Sequence, residues 1–223
     1  MCPHSGHVRE VLRGSTASIG HSADWVASTL VQWLEARGLH GLLTEAEQES
    51  PDPHAVLRAV DRRHPGSDLV AELEEHVTQE ELKAVSSAHP TPFADPLIHT
   101  WRAKGARPAI AGDNSRQAVR AYLESRHLTS SFAPYIYGRT LDLHLLKPDP
   151  HVLNRALTGM GADPRHALMI GDAPADYEAA LQAGVPFLGY ARNERQRKLL
   201  MNAGAQLIVE SLDQVLGIVR SPA

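Results

Sequence analysis

The chain has 223 residues, of which 43% are hydrophobic and only 5% are aromatic, and its formal net charge is −4. A chain of this length can form one medium domain with a smaller one beside it, and its core must be built from aliphatic side chains. The acidic balance leaves no basic surface for nucleic acid or anionic lipid, so the expected partner is a small molecule.

The first predicted element is a short strand over residues 8–12, which leads into Arg13-Gly14-Ser15-Thr16. Helical spacing of apolar residues then predicts a helical subdomain of four helices. They cover residues 23–37, 54–63, 69–76 and 78–88. The last of them opens with Thr78-Gln79-Glu80-Glu81, the sequence of a capping box. Pro90 and Pro92 forbid a continuing helix, so they mark the best boundary in the chain.

After this boundary, predicted helices and strands alternate. The predicted helices cover 97–104, 117–126, 150–160, 177–183, 195–203 and 212–219. The predicted strands cover 107–111, 135–137, 167–170, 185–190 and 206–209. Such an alternation predicts an α/β fold with a doubly wound parallel sheet.

The lack of a recognisable targeting signal and the single cysteine lead us to expect a cytoplasmic protein. Cys2 is the only cysteine, which excludes internal disulfides and favours a reducing compartment. No apolar run approaches the roughly 18 residues of a membrane span, and the first residues lack the apolar stretch of a signal peptide. We therefore expect no contact with the membrane. The oligomeric state is not determined by the sequence.

The most informative segment is the apolar run 167–170, followed by Gly171-Asp172 and then by Asp176. It predicts a buried parallel strand whose carboxyl end presents two carboxylates to a crevice. Two carboxylates at this position suit a magnesium ion that can also bind an anion. Lys147, in Lys147-Pro148-Asp149-Pro150, adds a cation upstream. A lysine with paired aspartates is what phosphoryl chemistry needs, because the charge of the transferring group must be neutralised.

A third segment, Gly112-Asp113-Asn114-Ser115, follows the predicted strand 107–111 and leads into a helix, so its N–H groups could bind a phosphate. Each candidate also has a purely structural interpretation. Asp172 and Asp176 could cap a helix, as could Asp113 or Asn114 in the other segment. Lys147 could be an ordinary surface lysine before a turn.

Together these motifs resemble the haloacid dehalogenase superfamily, a large set of mostly magnesium-dependent phosphatases. Three of its four signatures are present: residues 110–115 at the second, 147–150 at the third, and Gly171-Asp172 with Asp176 at the fourth. The resemblance covers about residue 25 to about residue 213. It implies a Rossmannoid core with an N-terminal helical cap. The implied division is 1–22 as a degenerate first-strand segment of the core, 23–89 as the cap and 90–223 as the α/β core.

The resemblance also implies roles for the site residues. Lys147, Asp172 and Asp176 would be the catalytic residues of such a protein. Asp172 would ligate magnesium, and Asp176 would support the metal directly, through water or through the lysine. Lys147 would hold the substrate phosphate and the nucleophile together by charge, with phosphate contacts from Gly112, Asp113 and Asn114. The implied ligand is a small phosphorylated or anionic molecule.

The chain departs from the family at its first signature, an Asp-x-Asp at the end of the first strand that supplies the nucleophile and the acid. No Asp-x-Asp occurs anywhere in the chain, and the only acidic residues before Trp25 are Glu10 and Asp24. If the strand 8–12 takes the first-motif place, Arg9 or Arg13 stands where a carboxylate is expected. Without a carboxylate nucleophile an aspartyl-phosphate cannot form.

The second signature departs as well, because Gly112 replaces the usual Ser or Thr hydroxyl. The sequence therefore predicts a phosphomonoester phosphatase-type scaffold whose activity is weak or lost. The alternative is a non-catalytic module that binds a phosphate or metal ligand or another protein. Two further possibilities stay open: a wrong start site or frameshift that replaced the first strand, and a different reaction on the same scaffold. The substrate does not follow from the fold.

Overall fold

The computed structural model describes residues 10–13 and 23–221. The strands are β1 Glu10–Arg13, β2 Arg107–Ala111, β3 Ile136–Tyr137, β4 Ala167–Gly171, β5 Phe187–Tyr190 and β6 Ile208–Val209. The helices are α1 Ala23–Ala36, α2 Glu45–Gln48, α3 Pro53–Arg63, α4 Asp68–Val85, α5 Ala94–Ala103, α6 Arg116–Ser125, α7 Thr129–Phe132, α8 His151–Met160, α9 Pro174–Ala183, α10 Glu194–Ala203 and α11 Leu212–Arg220. None of these helices is long and apolar enough to cross a bilayer.

The six strands form one sheet in the order β3-β2-β1-β4-β5-β6, and every neighbouring pair is parallel. β1 lies in the middle, and its last residue, Arg13, pairs with Ile110 of β2 and Ile170 of β4. The chain order of the strands reverses at β1, and ligands of such sheets bind beyond the carboxyl ends of the strands at this switch point. This arrangement confirms the predicted doubly wound α/β fold.

Helices cover both faces of the sheet because alternate residues of each strand point to opposite sides. Met169 of β4 packs in a cluster with Leu153 of α8 and Ala180 of α9. Its neighbour Ile170 packs on the other face, with α5 and α11 through residues such as Leu97. Strands buried on both faces read as continuous apolar runs, which is why β2 and β4 were predictable from the sequence.

A separate group of helices lies between β1 and the other strands of this α/β unit in the chain, and we refer to residues 23–85 as the helical cluster. Its helices α1, α3 and α4 surround their own apolar core, in which Leu30, Leu57 and Leu73 are fully buried. Leu143 and Leu146, which precede Lys147, pack into the same core. The helical cluster is therefore in direct contact with the segment that carries the candidate lysine.

One predicted boundary inside the helical cluster is wrong. The sequence predicts two helices separated at residue 77, whereas α4 is continuous from Asp68 to Val85. No glycine or proline interrupts the stretch, and Val77 continues the buried face of the helix with no exposed surface. Thr78 does not cap a new helix. Its hydroxyl instead donates to Glu74 Oε1 at 3.3 Å.

Asp52 caps the first turn of α3, where its carboxylate accepts from the N–H of His54 at 3.0 Å. Arg58 Nη2 lies 3.0 Å from the other oxygen, and His54 Nδ1 lies 3.2 Å from the capping oxygen. Burial raises the pKa of Asp52, but the hydrogen bond and charge of His54 and the charge of Arg58 outweigh it. They lower the pKa of Asp52 from 3.8 to about 2.

We expect Asp52→Asn to reduce the stability of the protein only where the aspartate is ionised. The folded pKa is below the unfolded value, so the charge contributes stability above about pH 4 and loses it as the pH falls toward 2. Asparagine caps helices as well as aspartate, so the substitution isolates the charge. Urea unfolding between pH 6 and pH 2 should show a difference between wild type and variant that shrinks with falling pH. A difference of constant size would contradict this prediction.

Candidate functional site

The turn after β4 is shaped by a close approach between Gly171 and Asp176. A Cβ at residue 171 would lie 2.4 Å from Asp176 Cβ and 2.6 Å from its Oδ2, so only glycine fits. Asp176 Oδ2 accepts from the N–H of Asp172 at 3.1 Å and of Ala173 at 3.2 Å. The carboxylate therefore satisfies N–H groups at the start of α9. This is the helix-capping role that the sequence left open.

Lys147 Nζ donates to the other oxygen, Asp176 Oδ1, and both residues are buried, at 5% and 0% exposure. Burial lowers the pKa of Lys147, but attraction to Asp176, and next to Asp113, outweighs it and raises the pKa above its ordinary value of 10.5. Lys147 is thus a buried cation rather than a surface lysine. Since an ammonium carries three N–H donors, the pair leaves donors for a further anion.

The segment after β2 uses only some of its backbone N–H groups internally. Gly112 N–H donates to the Tyr137 carbonyl at 3.1 Å, and Ser115 N–H donates to Glu81 Oε2 at 2.9 Å. Among the described residues, no acceptor takes the N–H groups of Asp113 and Asn114. These two N–H groups are the ones that remain for an anion.

The same segment contacts both the lysine and the helical cluster. Asp113 Oδ1 accepts from the backbone N–H of Lys147 at 3.3 Å, which brings the second and third predicted motifs together. The Asp113 carbonyl lies 3.1 Å from His54 Nε2, which carries the proton in this contact because a carbonyl can only accept. Ser115, not Asp113 or Asn114, caps α6 by accepting from Ala118 N–H at 3.2 Å.

Arg192 brings a second cation to the carboxyl edge of the sheet. It follows β5, the neighbour of β4, and its Nη2 lies 3.6 Å from Asp172 Oδ2. The side chains are partly exposed, at 38% for Arg192 and 20% for Asp172. Sequence reasoning missed this arginine, although a basic residue shortly after a predicted parallel strand was the available signal.

The resemblance implies a magnesium ion, but the carboxylates that would hold it already have other partners. Both oxygens of Asp176 already accept hydrogen bonds, and Asp172 faces Arg192. Within residues 10–13 and 23–221, no group of three or more His, Cys, Asp or Glu is arranged to hold a metal. Magnesium prefers six oxygen ligands in near-ideal octahedral geometry. The described residues do not fit that requirement, and metal ligation by Asp172 and Asp176 stays a prediction.

The first strand brings no acidic residue to this edge. Arg13 is the last residue of β1, and Arg9 lies outside the described residues. Glu10 is at the opposite end of the strand, about 10 Å away at 3.3 Å per residue. The next acidic residue in the chain is Asp24, which is already in α1.

Comparisons with known proteins agree with this fold and these motifs. The sequence profile described as haloacid dehalogenase-like hydrolase matches residues 42–190. A phosphoglycolate phosphatase of Rhodospirillum rubrum is 34% identical over 113 residues, which are 49% of this chain and 45% of that protein. A phosphoglycolate phosphatase of Thiobacillus denitrificans is 26% identical over 217 residues, with 94% and 87% covered.

A crystal structure of a predicted phosphatase from Clostridium acetobutylicum has the same fold, with a TM-score of 0.72 at 16% identity over 96% of this chain and 98% of that one. The match to the first curated relatives is shorter, since the chain spans about half of their length. The profile match covers more than half of the chain and contains the second, third and fourth motifs. This chain therefore belongs to the haloacid dehalogenase-like hydrolase family.

Proposed function

We propose that this protein binds a small phosphorylated or anionic molecule at the carboxyl edge of its sheet and hydrolyses phosphomonoesters weakly or not at all. The observation that carries the proposal is that β1 ends at Arg13 and that no acidic residue occurs between Glu10 and Asp24. The strand that would bear the nucleophilic carboxylate has none at its carboxyl end. Covalent transfer of the phosphoryl group to an aspartate cannot take place there.

Retained binding is supported by the groups that remain at this edge. Lys147 is charged at neutral pH and keeps N–H donors beyond the one that Asp176 uses. The N–H groups of Asp113 and Asn114 lie at the end of β2, and a backbone segment of this kind suits an anion. Arg192 adds a guanidinium, the side chain best suited to a phosphate.

The helical cluster is proposed to act as a cap over this edge. It contacts Asp113–Ser115, which we refer to as the binding segment, through His54 and Glu81, which come from α3 and α4. A cap excludes water from a site and sets which ligands fit. The side chains of the helical cluster would then select the ligand.

A second candidate is an active phosphatase for small phosphorylated acids. It is favoured by the names of the relatives, of which those from Rhodospirillum rubrum and Thiobacillus denitrificans are phosphoglycolate phosphatases. The two candidates differ in one measurable property, which is the release of inorganic phosphate in the presence of magnesium.

We expect the purified protein to release no phosphate from p-nitrophenyl phosphate or from phosphoglycolate above the buffer rate, with or without magnesium. The Rhodospirillum rubrum relative, assayed in parallel, is the positive control. The physical reason is the missing carboxylate nucleophile. Robust turnover that is lost in an Asp172→Ala variant would overturn the proposal in favour of the second candidate.

Binding is tested separately by calorimetric titration with inorganic phosphate. We expect a saturable signal that Arg192→Gln weakens about tenfold, which corresponds to one charge-assisted contact. Arg197→Gln is the matched control, because Arg197 also lies near the start of α10 and its partner is Glu210, at 3.1 Å, rather than Asp172 of the proposed site. Absence of any phosphate binding would contradict the binding half of the proposal.

A further inference from the structure

An arginine of the α/β unit lies buried against the helical cluster. Arg139 follows β3, and its side chain is 1% exposed. Its Nε donates to Glu74 Oε1 at 2.8 Å, and its Nη1 donates to Glu81 Oε1 at 2.5 Å and to the Asp113 carbonyl at 3.2 Å. Its Nη2 donates to Thr78 Oγ1 at 2.7 Å and to the Glu74 carbonyl at 3.5 Å. All five N–H directions of the guanidinium are therefore used.

The charges around Arg139 oppose any separation of the helical cluster from the α/β unit. Its main partners are carboxylates on one face of α4, Glu74 and Glu81, whose side chains are 19% and 8% exposed. A guanidinium keeps its charge even when it is buried. Separating a buried ion pair without replacing its partners leaves an uncompensated charge, which is strongly unfavourable. Displacing α4 from the α/β unit would break several of these contacts at once.

The same contacts reach the segment that we propose to bind the anion. Glu81 uses its second oxygen, Oε2, to accept from Ser115 N–H at 2.9 Å. Arg139 and His54 both donate to the carbonyl of Asp113. The positions of Asp113 and Ser115 thus depend on α3 and α4 being in contact with the α/β unit.

The backbone beside Arg139 is packed too closely against residues 114–116 to shift along them. A Cβ at residue 138 would lie 2.6 Å from both Arg116 N and Asn114 O, so the chain can pass here only as Gly138. Arg139 N–H donates to the Asn114 carbonyl at 3.1 Å. The arginine therefore starts from a backbone that is itself packed against the binding segment.

We propose that Arg139 is a positioning residue that holds the helical cluster in one fixed position over the segment Asp113–Ser115, so that the anion site is preformed. Caps that close over a substrate assemble the site during binding. Here the ligand enters without displacing the helical cluster. This proposal rests on the proposed function of the carboxyl edge as an anion site.

The first test measures the distance between the helical cluster and the α/β unit by single-molecule energy transfer in the full chain. Dyes are attached to Glu35→Cys on α1 and Lys198→Cys on α10, both exposed positions, with Cys2 replaced by serine. We expect a single narrow distribution without ligand, unchanged at saturating inorganic phosphate. A second population, or a shift on adding phosphate, would overturn the proposal.

The second test removes the contacts. Arg139→Met alone leaves two buried carboxylates and risks unfolding, so Arg139→Met is combined with Glu74→Gln and Glu81→Gln. In the triple variant we expect a broader or second distance population and about tenfold faster hydrogen exchange at Ser115 N–H. Arg126→Met is the control, because Arg126 pairs with Asp95 inside the α/β unit and should change neither measurement.

A folded triple variant with the wild-type distance distribution and unchanged exchange would also overturn the proposal. If the triple variant does not fold, the wild-type distribution decides. If inorganic phosphate does not bind, the proposed function fails, but the ligand-free distance distribution still tests the role of Arg139. The two failures are therefore distinguishable.

Discussion

Replacing Lys147 by methionine is expected to lower the free energy of unfolding by about 3–5 kcal/mol, the range for removal of one partner of a buried ion pair. The reason is Asp176, which has no exposed surface and would be left buried without the ammonium that it faces. Its two remaining hydrogen bonds, from the N–H groups of Asp172 and Ala173, do not supply a full positive charge. Urea unfolding at neutral pH measures the loss.

Two controls accompany this variant. Lys198→Met should change stability by less than about 1 kcal/mol, because Lys198 is exposed and its nitrogen lies 3.9 Å from Glu194. The double variant Lys147→Met with Asp176→Asn removes both charges and should be more stable than Lys147→Met alone. If Lys147→Met alone lowers the free energy of unfolding by less than about 1 kcal/mol, Lys147 and Asp176 are not strongly coupled.

The pH dependence of this pair has a definite sign. The folded pKa of Lys147 is raised above 10.5, so its contribution to stability is fully present at neutral pH. The contribution is lost only as the pH rises above 10.5 toward the folded pKa. The difference between wild type and Lys147→Met should therefore stay constant from pH 7 to pH 9.

Replacing Gly171 by alanine is expected to lower the free energy of unfolding by about 3 kcal/mol, the upper part of the range for an overpacked buried site. The new Cβ would lie 2.4 Å from Asp176 Cβ, and Asp176 cannot move away without leaving Lys147 and the start of α9. Thermal and urea unfolding measure the effect.

Gly217→Ala is the matched control for this substitution. Gly217 lies inside α11, and an added Cβ would meet no atom within 4 Å. Alanine is favoured over glycine in a helix by about 1 kcal/mol, so this variant should be at least as stable as the wild type. Equal effects of the two substitutions would contradict the argument that Gly171 is required by its contact with Asp176.

Local sequence patterns were sufficient for most of the α/β unit. β2 was predicted at 107–111, which are its observed bounds, and β4 was predicted one residue short of Ala167–Gly171. Apolar runs that end in glycine or aspartate are visible in the sequence because a parallel strand is buried on both faces. The family resemblance assigns Lys147 and Asp176 to one candidate site, but their direct ion pair is visible only in the tertiary structure.

The doubly wound fold and the Gly171-Asp172 turn were predictable because each strand, helix and turn depends on residues close together in the chain, and the order of three such motifs indicated the family. Tertiary structure alone decided that Arg192 faces Asp172 and that Arg139 joins α4 to the binding segment. Arg139 lies 65 and 58 positions from its partners Glu74 and Glu81. A buried charge is stabilised by whichever groups the packing brings to it, and no spacing within the chain records that choice.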